Sequence, residues 1–273
     1  MFAARPRRGG QQHQRPLSVD SKADTGANVR HVARHDSDRA LYAMLPAVAA
    51  GSRDALSTPV YIESGAKRVF ACALDWPGWC RSGKDEEQAL DALSAAGPRY
   101  AAVAARASLP FPATGRDAFD VVERLPGSAN TDFGVPYEIA SRDATPLTEQ
   151  EARRLASLVS ASWKVLDMVV AAAPAELRKG PRGGGRDRDA IAAHVIGAES
   201  IYARKLGIRL PAPAPGDLAG LAALREAILE VLGSPSAGAP VVQKGWHQRY
   251  AARRIAWHAL DHAWEIEDRT EPR

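Results

Sequence analysis

Residues 249–269 read RYAARRIAWHALDHAWEIEDR. No Gly or Pro interrupts them and helix formers dominate, so the stretch predicts one long helix of about six turns. His258 and His262 lie four residues apart within it. At 1.5 Å rise per residue, two imidazoles at that spacing share one face, roughly 6 Å apart along the axis. They form half of a metal site, and a third ligand must come from another element.

The helices that can supply it lie immediately upstream. Thr148 and Glu151 form a capping box that opens a helix ending at Pro174, with Leu155, Val159, Ser162, Leu166, Val169 and Ala173 on one face. After a basic, glycine-rich loop (ELRKGPRGGGRDRD), capped by Asp187 or Asp189, the segment 189–207 (DAIAAHVIGAESIYARKLG) predicts a second helix. Its expected inward stripe is Ile191, His194, Ala198, Ile201 and Lys205, with His194 the single polar ring on that face. A third helix runs from Asp217 to Gly233 with Leu218, Leu221, Leu224 or Arg225, Ile228 and Leu232 inward. Together with the opening stretch these make a four-helix bundle over residues 147–273.

An imidazole buried without a partner is costly, so a mid-helix His194 on the core face is the natural third ligand. His194, His258 and His262 are therefore the expected metal ligands, while His247 lies about 16 Å from His258 by helical rise and cannot join them. Three neutral imidazoles leave a coordination position open, which is the arrangement of a catalytic site. A bound cation would lower the pKa of a thiol or water there. Ala259 stands where the H-E-x-x-H protease motif needs its general base, which removes the metalloprotease reading. Glu265, three residues beyond His262, and Asp261 beside it are the candidate catalytic carboxylates, able to orient a ligand or move a proton. Arg182 and Arg186 in the basic loop are candidates for attracting an anionic co-substrate. That loop lacks the G-K-S/T ending of a phosphate-binding P-loop.

Residues 56–127 follow a different pattern. TPVYIES and RVFACAL predict a hairpin, DWPGWCRSG a turn-rich stretch, KDEEQALDALSAAGPRYAAVAARA a helix capped by Ser82 and broken at Gly97–Pro98, and AFDVVERL a strand. The expected order is ββαβ, a small α+β unit with a helix covering one face of its sheet. Trp76 and Trp79 either line a groove or cover the sheet edge. Residues 128–146, rich in turn formers, predict a linker. Residues 1–55 predict a largely disordered tail, with Met44 an alternative start.

Charge follows this division. Of the 273 residues, the first 40 hold eight Lys/Arg against four acids, which accounts for the net +4 and leaves the remainder neutral. Net charge thus gives nucleic-acid binding no support. The apolar run at 40–50 is too short to span a bilayer and contains Pro46. Cys72 and Cys80 suggest neither a disulfide framework nor a C-x-x-C motif, so a reducing, cytoplasmic compartment is expected.

The motifs GGGRDRDAIAAHVIGAESIYARKLG and WHALDHAWEIEDR, with His194, His258 and His262, resemble the DinB/YfiT-like family of four-helix bundles. That resemblance spans roughly residues 147–269. It implies a divalent metal (Zn, Ni or Fe) held by one histidine of the second helix and an H-x-x-x-H pair of the last. It also implies a reaction such as S-transfer from a low-molecular-weight thiol to a small electrophile, since members include thiol-dependent S-transferases and a mycothiol-dependent isomerase. It leaves room for a homodimer. Earlier in the chain, Ala73-Leu74-Asp75-Trp76-Pro77-Gly78, then Gly83, Glu87, Ala89 and Leu90, resemble the HicB-like fold of antitoxin partners. The second reading follows from that likeness: a non-catalytic regulatory protein whose HicB-like unit binds a partner and whose bundle is a scaffold.

Overall fold

The computed structural model describes residues 57–180 and 183–270, all within one compact unit. The expectations for residues 1–55, including the alternative start and the apolar run, lie outside the described residues.

A four-stranded mixed sheet comes first. Its strands are β1 (Thr58–Ser64), β2 (Val69–Ala73), β3 (Cys80–Gly83) and β4 (Phe119–Pro126), in the order β3-β2-β1-β4. β1 pairs antiparallel with β2 and parallel with β4. A parallel neighbour needs a crossover, and helices α1 (Glu86–Ala95) and α2 (Gly97–Arg106) lie in the connection between β3 and β4. The sequence missed β3. Four residues, CRSG, carry no alternating pattern of their own and become a strand only through pairing with β2. That pairing sets Cys72 opposite Cys80, with Cα atoms 4.1 Å apart, and the two are joined as a disulfide. The expectation that these cysteines do not pair is thereby corrected: eight residues apart in sequence, they meet because the turn between them closes a hairpin.

The α1 N-cap is Asp85, not Ser82: its carboxylate accepts from the Gln88 amide at 2.8 Å, while Ser82 sits within β3. Trp79 covers the sheet, whereas Trp76 also lines a cavity beside it. Trp79 is fully buried, donates from Nε1 to the Leu93 carbonyl at 2.9 Å, and packs with Tyr100, Phe111 and Phe119.

The stretch expected as a linker is tied down. It holds α3 (Ala129–Phe133) and a 3-10 turn at Ser141–Ala144. The fully buried Glu63 carboxylate of β1 accepts from the Thr131 hydroxyl and from the Tyr137 and Glu138 amides at 2.6–3.0 Å. Turn-forming composition marks irregular backbone, but anchoring depends on acids far away in sequence.

Four longer helices complete the chain: α4 (Glu149–Ala172), α5 (Arg188–Lys205), α6 (Leu218–Leu232) and α7 (Gln248–Thr270). α4 is long and apolar enough to cross a membrane by length and composition, and here Leu155, Leu158, Val159, Leu166 and Trp163 are buried in the core. Its capping box forms as expected: Thr148 Oγ1 accepts from the Glu151 amide, and Glu151 accepts from the Thr148 amide at 2.9 Å. The Thr148 amide, with help from Arg249 and the Thr148 hydroxyl, holds the Glu151 carboxyl down at about 2. A depressed carboxylate stabilises the fold above its unfolded pKa, and the contribution is lost as pH falls through the folded value. The advantage of wild type over Glu151→Gln in urea denaturation should therefore hold at neutral pH and shrink between about 4.5 and about 2. A pH-independent gap would contradict this.

Two inward faces differ from expectation. On α5 the buried residues are Ile191, Val195, Glu199, Ser200, Tyr202 and Ala203, whereas His194 is exposed and Ile201 is 57% exposed. The buried Glu199 explains the shift, because Arg225 of α6 meets it with two bonds of 3.0 Å. Partnered by a guanidinium, an acid can face the core. On α6, Leu224, Ile228 and Leu232 are buried, but Leu218 at the first turn is 77% exposed.

Sheet and helices share one core. Gly78, in the turn before β3, has φ +93° and lies against α7; a Cβ there would come within 2.7 Å of Leu260 Cδ1. Only glycine suits both that backbone and that approach. It seats the sheet on the turn of α7 that carries His258.

Candidate metal centre

α7 is helical throughout, so His258 and His262 fall on one face as their spacing requires. α5 packs beside it and brings His194 to the same point. The three residues offer ligand atoms all within 4.8 Å of one another. Nε2 of His194 and Nε2 of His258 are 3.3 Å apart. The rings stand edge to face: centroids are 4.7–5.1 Å apart and planes cross at 65–87°. At metal–nitrogen distances of about 2.0–2.1 Å, two ligands on a tetrahedral centre lie about 3.3–3.4 Å apart. The His194–His258 separation is that edge.

Each ring has its own electrostatic setting. His258 is buried, and burial, followed by the charge of His262 and of Arg254, lowers its pKa to about 2. His194 is lowered chiefly by burial of its ring, with His262 and Arg186 adding to it. Both are thus held neutral, the form that donates a lone pair. His262 Nδ1 lies 2.8 Å from Glu265 Oε2. That bond places the Nδ1 proton toward the carboxylate, so that the neutral ring carries its lone pair on Nε2. Glu265 in turn is lowered, first by the His262 hydrogen bond, and accepts from Arg269 Nη1 at 2.8 Å.

The residues present fit a divalent cation. Three imidazole nitrogens converge within 4.8 Å, a donor set that suits such a cation. A cation accepts all three lone pairs together. His258 Nδ1 is the one misfit, being buried with no hydrogen-bond partner.

The other expected site residues separate. Glu265 is at the centre. Asp261 faces away and accepts from Arg81 of β3 at 3.2 Å, and that guanidinium lies 3.9 Å over the Trp264 ring. This follows from the roughly 100° between adjacent helix positions. Arg186 is exposed, and its charge reaches His194 and His258. Arg182 lies outside the described residues. His247 bonds the Gly238 carbonyl at 2.7 Å, apart from the cluster. His194 joins the cluster from the solvent rim, so the core-face argument that singled it out is corrected.

Sequence reasoning gave no site role to Tyr202, whose ring lies 5.7 Å from that of His258, or to Arg254, whose guanidinium lies 5.6 Å from the Tyr202 ring and 4.7 Å from that of Trp257. The signal existed for Arg254, one turn before His258 on the same face. No family model, curated protein or solved structure matches this chain.

Proposed function

We propose that the chain is a divalent-metal-dependent enzyme of the DinB/YfiT-like type, with α4–α7 as its four-helix bundle. The three-histidine cluster, with ligand atoms within 4.8 Å and one histidine open to solvent, carries the reading. Zn²⁺, Ni²⁺ and Fe²⁺ all accept imidazole nitrogen. When bound, such a cation supplies a lowered pKa to a thiol or water at neutral pH. His194, His258 and His262 hold it, and Glu265 fixes the ring of His262. Arg186 draws an anionic co-substrate toward the exposed side. The reaction proposed is S-transfer from a low-molecular-weight thiol to a small electrophile. The HicB-like unit serves as support, bracing α7 through Gly78 and the Arg81–Asp261 pair.

Metal analysis by mass spectrometry tests this. Wild type should carry about one divalent metal per chain and the His258→Ala/His262→Ala variant none. Equal, near-zero content in both after metal supplementation would overturn the proposal. A thiol–electrophile assay on the loaded protein then tests the reaction class.

The compartment proposed is the cytoplasm, which requires cellular thiols to open the Cys72–Cys80 disulfide that the structure joins. Alkylation in denatured, freshly lysed cells should label both cysteines. A fully unlabelled pair would place the protein in an oxidising compartment.

A further inference from the structure

A cavity of about 520 Å³ lies away from the histidines. It opens where β1, the 110–113 loop and the first turns of α4 meet. Its lining includes Arg249, nine residues before His258 and so roughly 13 Å back along α7. Its size falls within the range of small-molecule sites, and Pro59, Trp76, Phe111 and Leu155 supply much of its wall. Trp76 and Phe111 meet edge to face with centroids 5.0 Å apart, giving a rigid aromatic corner.

The polar groups of the cavity are unbalanced. Three guanidiniums (Arg142, Arg154, Arg249) face two carboxylates (Asp75, Glu151). Arg142 pairs with Asp75 at 3.0 Å, and Arg249 with Glu151 at 3.0 Å, which occupies both acids. Arg154 has no carboxylate partner among the described residues. It donates from Nη1 to the Asp75 carbonyl at 2.5 Å and lies 4.4 Å over the Trp76 ring. Its Nε and Nη2 atoms make no hydrogen bond to the described protein, and neither is a buried atom left without a partner. Those two nitrogens form the edge of the guanidinium that binds a carboxylate with two parallel bonds. Arg249 adds a buried Nε with no partner on the same wall.

We propose that this cavity is a binding site for a small monoanionic carboxylate with a flat apolar body. The carboxylate takes the free edge of Arg154, and the body lies against Trp76, Phe111 and the neighbouring prolines. The single uncompensated positive charge matches one carboxylate, and the aromatic corner accepts a planar group. The site is independent of the histidine cluster.

Isothermal titration of the full chain with 3-phenylpropionate, against 3-phenylpropanol of the same skeleton, tests it. The acid should saturate below about 10 mM and bind at least about tenfold tighter than the alcohol. Arg154→Met should remove that preference while leaving alcohol binding and metal content unchanged. Ala113→Trp, which fills the cavity from an exposed lining position, should weaken both ligands with the melting temperature preserved. Equal binding of acid and alcohol, no saturation by the acid, or an unaltered preference in Arg154→Met would overturn the proposal. Tighter binding of phenyl phosphate than of the acid would overturn the carboxylate assignment.

Discussion

Asp143→Ala should destabilise the fold by about 3–5 kcal/mol, the largest effect expected of a single substitution outside the apolar core. Asp143 and Arg253 are both buried, and Arg253 donates to both carboxylate oxygens, from Nε to Oδ1 at 3.1 Å and from Nη2 to Oδ2. Its remaining Nη1 donates to the Tyr61 hydroxyl at 2.8 Å, with the guanidinium 4.7 Å from that ring's centroid. Burial alone would lower the Arg253 pKa, yet the charge of Asp143 and the hydrogen bonds to Asp143 and Tyr61 outweigh it and the net direction is upward. Burial raises the Tyr61 hydroxyl to about 12, so it stays a neutral acceptor. Removing the acid leaves a desolvated cation, and that penalty exceeds the worth of the lost bonds. The double variant Asp143→Leu/Arg253→Met should therefore lose much less than the two single variants summed. Urea midpoints at constant m value measure this, and strict additivity would show the pair is not coupled.

The same pair shows where sequence reading stops. Asp143 and Arg253 are 110 residues apart, and Glu63 lies 68–75 residues from the groups it anchors. Nothing local marks such acids as buried, so the stretch they fix looked like a free linker. α7 was legible because its helicity is local, twenty-one residues without Gly or Pro, and because histidines four apart on any helix must share a face. The Thr148–Glu151 box was legible for the same reason. The α5 stripe was not. Small residues surround that helix on several sides, so periodicity could not rank its faces, and the deciding residue was an acid whose partner sits on α6. β3 is a strand by pairing rather than by composition. The candidate metal centre was therefore readable as a list of ligands with Glu265 beside one of them, while its openness to solvent depended on packing.

That carboxylate gives the second large effect. Glu265→Gln should lower metal affinity about 10- to 100-fold, the usual consequence of losing a ligand's hydrogen-bond partner. Glutamine can still accept from His262 Nδ1, but a neutral acceptor draws less positive charge onto the imidazole, so Nε2 becomes a weaker donor. Glu265→Ala should cost more, because the ring also loses its orientation. Arg269→Met is the control: it removes the 2.8 Å bond to Glu265 Oε1 yet leaves the His262 contact to Oε2, so its loss should be the smallest. Competition with a chromophoric chelator reads all three on one scale, and thermal melting of the metal-free proteins checks that the fold persists. If the order Ala, then Gln, then Met at position 269 fails, Glu265 does not act through His262. Equal affinity in all three would place that carboxylate outside the metal centre, as a salt bridge closing the end of α7.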